Sequence, residues 1–122
     1  MKLSILMMNN LCICYIQADL KWQDKQANLE HFSELLKEVK PGTDLVLLPE
    51  TFNTAFPVDP KEFAETEDGP TMQWMRQKAQ ALNAVICGTL LIEKDGTNSI
   101  TGMMGIGALS HVGTSGQKIS FQ

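Results

Sequence analysis

The sequence predicts an α/β fold in which parallel strands and helices alternate in the order strand, helix, strand, helix, strand. Three segments are apolar on both faces, which is typical of strands buried on both sides of a parallel sheet. The two segments between them carry apolar residues at helical spacing. The links are short, so right-handed βαβ units are expected.

The first half of the chain contains the first strand, the first helix and the second strand. Leu11–Ala18 is the first buried strand, and residues 44–48 ("DLVLL") are the second. Between them we predict an amphipathic helix over Asp24–Val39, with Asp24 as its N-cap. Its apolar side consists of Leu29, Phe32, Leu35, Leu36 and Val39. The stretch "KPGT" that follows ends the helix.

A long loop, Glu50 to about Gly69, follows the second strand, and either Gly69-Pro70 or Thr71 opens a second helix that ends at Asn83. The third strand is predicted at Ala84–Glu93, followed by the turn "KDG". Beyond that turn the chain is rich in glycine and shows neither alternation nor helical period. We expect a loop there, or a sequence that does not belong to the fold.

Composition limits the classes of function. The chain has 122 residues and a net charge of −4, without a cluster of Lys and Arg, which argues against a nucleic-acid partner. No segment reaches the length of a membrane helix. The cysteines Cys12, Cys14 and Cys87 have no metal-ligand spacing, and we interpret them as reduced thiols of the core. Reduced thiols fit the cytoplasm.

Polar residues follow the predicted strands at their carboxyl ends, where open α/β sheets bind ligands. Gln17 and Asp19 follow the first strand, and Glu50 follows the second. Pro49 fixes the backbone before Glu50. If Phe52 and Phe56 partly dehydrate this carboxylate, it becomes a stronger base and a candidate general base. The alternative is an ordinary solvated loop glutamate.

Several motifs occur in order along residues 11–96. They are Asp-Leu-Val-x-Leu-Pro-Glu at the end of the second strand, Phe-x-Thr-x-Phe in the loop, Gly-Pro-Thr at the second helix and Gly-Thr-Leu in the third strand. In this order they resemble the front portion of carbon–nitrogen hydrolases of the nitrilase superfamily, and most of all its omega-amidase branch. Thr51 and Ala55 depart from that branch, which often has Met and Gly there.

The resemblance implies the front half of a four-layer α-β-β-α sandwich that hydrolyses small linear amides without a metal or cofactor. It also implies a catalytic Glu, Lys and Cys, and Glu50 matches the glutamate. Lys118 lies at a plausible distance for the lysine, but its surroundings lack the family's motif. None of the three cysteines matches the nucleophile. We therefore expect a truncated, inactive copy.

The resemblance divides the chain into an N-terminal extension (1–10), the front part of the hydrolase domain (11–97) and a divergent tail (98–122). For the tail we keep two explanations open, true divergence and a frameshift. Half a sandwich would leave one sheet face uncovered, so we expect a homo-oligomer or an aggregation-prone chain. Two rivals remain: a non-catalytic α/β binding or interaction module, and a nucleotide binder. No glycine-rich turn follows the first strand, which disfavours the nucleotide binder.

Overall fold

The structure is a computed structural model that describes the backbone of residues 2–8, 11–94, 97–106 and 112–113, and the side chains of residues 11–93. Three helices and six strands are found in these residues. In chain order they are β1 (Lys2–Met8), β2 (Leu11–Gln17), α1 (Lys25–Leu36), β3 (Leu45–Leu47), α2 (Pro60–Phe63), α3 (Pro70–Leu82), β4 (Val85–Lys94), β5 (Thr97–Ile106) and β6 (Val112–Gly113).

The described strands form one six-stranded sheet whose spatial order equals the chain order. Strands β2, β3 and β4 are parallel, with Tyr15 opposite Leu47 and Leu47 opposite Cys87. Strand β1 is antiparallel to β2, β5 to β4, and β6 to β5. The predicted mixed α/β fold with a parallel β2-α1-β3-α3-β4 unit is therefore confirmed.

The structure differs from the sequence-based prediction mainly at both ends of this unit. The loop predicted after Gly96 is wrong for residues 97–106, which form β5 along most of the length of β4. Its sequence shows no alternation that would identify a strand, and the strand forms by pairing with β4, which directly precedes it in the chain. Residues 2–8, predicted only as an extension, form β1. The long loop after β3 also contains the four-residue helix α2.

The ends of helices α1 and α3 are set by capping residues and by backbone conformation. Asp24 caps α1, its carboxylate accepting a hydrogen bond from the Ala27 amide at 3.0 Å. The helix ends at Leu36 rather than Val39, since the next three residues form tighter, three-residue hydrogen bonds. Gly69 and Pro70 start α3, and Asn83 ends it in a left-handed conformation with φ 51°.

The main hydrophobic core lies between the helices and one face of the sheet. Cys14, Val46 and Ile86 are adjacent on the three parallel strands and are all buried in this core. Phe32 of α1 meets Phe52 edge to face, with ring centroids 5.7 Å apart. Such packing of two crossover helices onto a parallel sheet stabilises the fold mainly by removing apolar surface from water.

The opposite sheet face carries Leu11, Ile13 and Tyr15 of β2, next to Leu45 and Leu47 of β3. Leu11 and Tyr15 are 43% and 39% exposed, although both are large and apolar. Leu45 is buried but does not belong to the core formed with the helices. The two faces therefore differ in how completely they are covered. None of the described helices has the length and apolar character needed to cross a membrane.

A first prediction concerns the contact between Gly88 of β4 and Phe52. A Cβ atom added to Gly88 would lie 2.7 Å from the Phe52 ring and 3.3 Å from the Leu48 Cβ. We expect Gly88→Ala to lower the free energy of unfolding by about 1–3 kcal/mol because the core is overpacked. Urea denaturation followed by circular dichroism measures this change.

The control is the double variant Gly88→Ala/Phe52→Leu. The smaller leucine leaves room for the new methyl group. The double variant should therefore lose less free energy of unfolding than the two single variants together, by about 0.5 kcal/mol or more. Strictly additive costs would show that the ring is not what excludes a side chain at position 88.

Candidate active site

The candidate site lies at the carboxyl ends of β2, β3 and β4, where the sequence places Gln17, Asp19 and Glu50. Gln17 ends β2, Asp19 follows it, and Glu50 follows β3 by three residues; all three are exposed. Because the three strands are parallel and adjacent, these ends share one edge of the sheet. The edge therefore offers carboxylate and amide groups to a ligand in solvent.

The backbone at Glu50 is held firmly even though the residue is exposed. The amide of Thr51 donates to the Thr89 hydroxyl of β4 at 2.7 Å. The Thr51 hydroxyl donates to the Glu50 carbonyl at 2.8 Å. Just before them, the Leu48 amide donates to the Cys87 carbonyl at 2.7 Å. Hydrogen bonds on both sides of Glu50 thus fix where its side chain starts.

The turn after Glu50 has an unusual backbone conformation. Thr51 has φ 44° and Ala55 has φ 60°, in the left-handed region that a β-branched residue rarely adopts. The amides of Thr54 and Ala55 both donate to the Thr51 carbonyl and close the turn. Backbone strain of this kind persists only where the surroundings enforce it. The left-handed φ at Ala55 also gives a physical reason for the glycine that the omega-amidase branch often has there.

The prediction that Phe52 and Phe56 dehydrate Glu50 is wrong for the described residues. Phe52 is fully buried on the helix side of the sheet, where its ring contacts Phe32 and Trp74. Phe56 is 66% exposed. The left-handed turn redirects the chain between Glu50 and Ala55, so Phe52 enters the core and Phe56 lies at the surface. Glu50 therefore faces solvent.

The cysteines do not supply a nucleophile next to Glu50. Cys14 and Cys87 are buried free thiols, as predicted, whereas Cys12 is only half-buried. Burial raises the pKa of the Cys14 thiol, with a smaller contribution from Cys12, and burial raises the pKa of Cys87 to about 11. A raised pKa disfavours the reactive thiolate. The amide of Cys12 is bonded to Asp44, which precedes β3, so Cys12 lies at the other end of the strands.

The loops that follow β2 and β3 are joined by hydrogen bonds that the sequence did not reveal. The Gln23 amide donates to the Thr54 carbonyl at 2.9 Å. The Trp22 indole donates to the Phe56 carbonyl at 2.9 Å, and the Val58 amide donates to the Gln23 side chain at 3.0 Å. These bonds hold the loop after Glu50 against the loop after Gln17, so the two parts of the edge form one unit.

A buried asparagine also connects these loops. Asn28 in α1 is fully buried, and its side-chain nitrogen donates to the Asn53 carbonyl at 2.8 Å and the Lys21 carbonyl at 2.7 Å. The Lys21 amide donates back to the Asn28 side chain at 2.7 Å. A polar residue four positions before Phe32, on the buried side of a helix, is the signal that could have predicted this role.

A cleft of about 510 Å³ lies between α1 and α3 and does not include Glu50. Its walls are mainly apolar, formed among others by Leu29, Pro70 and Trp74. Neither Gln17 nor Asp19 lines it, so this cleft is distinct from the candidate site. In the part of the chain with described side chains, no group of three or more His, Cys, Asp and Glu residues is arranged to hold a metal ion. Lys118 lies outside the described residues.

These features describe an α/β protein whose candidate site lies at the carboxyl ends of parallel strands. Comparison with known proteins specifies the class further. The sequence matches the carbon–nitrogen hydrolase family over residues 12–116. This match continues through residues 98–116, which we expected to belong to a divergent tail. The chain therefore belongs to the carbon–nitrogen hydrolase family.

Two omega-amidases named YafV are similar to this chain. The Escherichia coli protein is 34% identical over 88 residues, which are 72% of this chain and 34% of the relative. The Yersinia enterocolitica protein is 34% identical over 105 residues, 74% of this chain and 40% of the relative. The chain thus spans little more than a third of the length of the curated relatives it matches.

Solved structures agree with this assignment. XC1258 from Xanthomonas campestris, a CN-hydrolase superfamily protein, superposes with a TM-score of 0.78 at 28% identity, over 84% of this chain and 38% of that protein. Nit3 of Saccharomyces cerevisiae, a nitrilase-superfamily member, is 23% identical and shares the fold, with a TM-score of 0.66 over 83% of this chain and 41% of Nit3. The nitrilase-type fold expected from the sequence is confirmed.

A second prediction tests the bond that holds Thr51. In Thr89→Val the acceptor of the buried Thr51 amide is lost, and we expect the free energy of unfolding to fall by about 1–3 kcal/mol. Thr66→Val is the matched control, because Thr66 is exposed and its side chain makes none of the observed hydrogen bonds. Urea titrations of both variants measure the difference. Equal stability of the two variants would contradict the assigned role of Thr89.

Proposed function

We propose that this chain forms the front part of an amidase site that hydrolyses the terminal amide of a small dicarboxylate, with Glu50 as the general base. The observation that carries the proposal is the position of Glu50 at the carboxyl end of β3, with its backbone held by the Thr51–Thr89 hydrogen bond. The 34% identity with the two omega-amidases named YafV supports the choice of substrate class.

The proposed chemistry needs a base near a thiol and near water. A thiol has to lose its proton before it can attack the amide carbon and expel ammonia. Glu50 would accept that proton, pass it to the leaving nitrogen, and later take a proton from the water that cleaves the thioester. A cation beside the substrate oxygen would stabilise the charge that builds there. Each step uses Glu50 as the shared proton carrier.

We further propose that the chain alone is inactive on such amides. The support comes from its own cysteines: Cys14 and Cys87 are buried with raised pKa values, and Cys12 lies at the opposite end of the strands from Glu50. Without the nucleophile, the base has no thiol to activate. Loss of one member of a catalytic set typically lowers the rate by orders of magnitude.

A third prediction tests Glu50 in a hybrid enzyme. Residues 12–93 of this chain replace the aligned front portion of E. coli omega-amidase YafV, which then supplies the remaining residues of the site. We expect the hybrid to release ammonia from succinamic or glutaramic acid. Glu50→Gln should lower that rate about a hundredfold or more, because amide nitrogen cannot accept the proton. Glu62→Gln, another exposed acid, is the matched control and should leave the rate unchanged.

The hybrid also separates the proposal from its rival. A folded hybrid that releases no ammonia, or a Glu50→Gln variant as fast as its parent, would overturn the amidase proposal. The rival is a binding module that uses the same edge without chemistry. One observation favours it: Trp22 and Phe56, joined by a hydrogen bond, are 58% and 66% exposed beside the candidate site.

We also propose that the chain associates with itself through the sheet face that carries Leu11 and Tyr15, since both are exposed there. This is the fourth prediction. Leu11→Thr/Tyr15→Thr should weaken association about tenfold or more by removing apolar surface from the contact. Val58→Thr is the control, because Val58 is 81% exposed in the loop after β3.

Sedimentation velocity over a concentration series measures the association of both variants. A monomeric parent chain at all concentrations would contradict self-association. Equal weakening by Val58→Thr would instead place the contact on another surface.

A further inference from the structure

Glu65 is a largely buried acid whose carboxylate makes four polar contacts. Its side chain is only 9% exposed. One carboxylate oxygen accepts from the Thr71 amide at 2.9 Å. The other accepts from the Thr71 hydroxyl at 2.6 Å and from the Asn53 side chain at 3.2 Å, and it pairs with the Lys25 ammonium at 3.0 Å. These partners belong to α3, to the loop after β3 and to α1.

The backbone of Glu65 is itself anchored to the sheet. Its amide donates to the Leu91 carbonyl at 3.1 Å, and its carbonyl accepts from the Glu93 amide at 2.8 Å. Together these bonds form an isolated parallel bridge with Ile92 of β4. A carboxylate that starts from a fixed backbone and ends in charge-assisted hydrogen bonds has little freedom to move.

Asn53 transmits this constraint to the turn after Glu50. Asn53 is 3% exposed, and its side-chain nitrogen is shared between Glu65 and the Thr71 hydroxyl, the latter at 3.0 Å. Its carbonyl accepts from Asn28 at 2.8 Å. Asn53 lies inside the left-handed turn, between Thr51 and Ala55. The turn is thus held at its start by Thr89 and in its middle by Glu65.

We propose that Glu65 is a positioning residue for Glu50. It holds Asn53 so that the strained turn over residues 51–55 keeps the one conformation that fixes Glu50 at the sheet edge. This inference rests on the proposed function of Glu50, since positioning has a catalytic meaning only if Glu50 is the base. The physical argument is that a strained turn needs several strong bonds to keep it from relaxing.

A simpler role would be that Glu65 only caps α3 through the Thr71 amide. The two roles predict different local effects. A cap alone affects the first turn of α3, whereas a positioning residue affects the amides of Thr54 and Ala55, which are bonded to the Thr51 carbonyl. Those two amides belong to a different segment from the helix that Glu65 would cap.

Amide hydrogen exchange measured by NMR on the full chain tests the proposal. In Glu65→Ala we expect the protection of the Thr54 and Ala55 amides to fall about tenfold or more, while the Val46 and Ile86 amides in the core strands change little. Glu65→Gln should recover part of the protection, because its side-chain oxygen can still accept from the Asn53 side chain. Glu62→Gln is the control for loss of an exposed carboxylate and should change none of these amides.

Three outcomes would overturn the positioning role. They are unchanged protection of the Thr54 and Ala55 amides, a uniform fall of all amides including those of the core, and an absence of recovery in Glu65→Gln. None of these results depends on catalysis. The role of Glu50 is judged separately by ammonia release in the hybrid, so either proposal can fail while the other holds.

Discussion

The site depends on a single turn whose backbone is left-handed at a threonine. Thr51 tolerates this conformation because its amide and its hydroxyl are both bonded, the amide to Thr89 and the hydroxyl to the carbonyl of Glu50. Thr89 belongs to the neighbouring strand, so the position of Glu50 depends on the register of β3 against β4. A slip by one residue would turn the Thr89 hydroxyl to the other face and remove the bond.

The sequence was sufficient to predict the parallel unit and the location of Glu50. Apolar runs such as residues 45–48 are typical of strands covered on both faces of a parallel sheet, and the helical spacing between the runs indicates the crossover helices. The limits of α3 were equally readable, since Gly69-Pro70 and Asn83 have conformations that start and stop a helix. Local chemistry determined each of these features, and local chemistry can be read from a sequence.

The features that escaped prediction depend on pairing and packing between segments rather than on a pattern within one segment. The exposure of Glu50 follows from where Phe52 and Phe56 go after a left-handed turn, and no local pattern announced that turn. Strand β5 forms in glycine-rich sequence because β4 offers it a long ladder of hydrogen bonds. Glu65 stands in an acidic stretch of the sequence that gives no local sign of burial, yet its side chain is almost buried among partners from three segments.

A general base, the role proposed for Glu50, needs a fixed position and an environment that makes it basic. The described residues of this chain meet the first of these requirements but not the second. The described residues provide the first requirement, since Thr89 holds the start of the turn and Glu65 holds Asn53 in its middle. They do not provide the second, because Glu50 faces solvent. Dehydration of the carboxylate would then have to come from a surface that closes over this edge, or from the substrate itself. Under the proposed function, the turn fixes the position of Glu50 in advance, and the environment that makes the carboxylate basic is completed only when that surface or the substrate covers the edge.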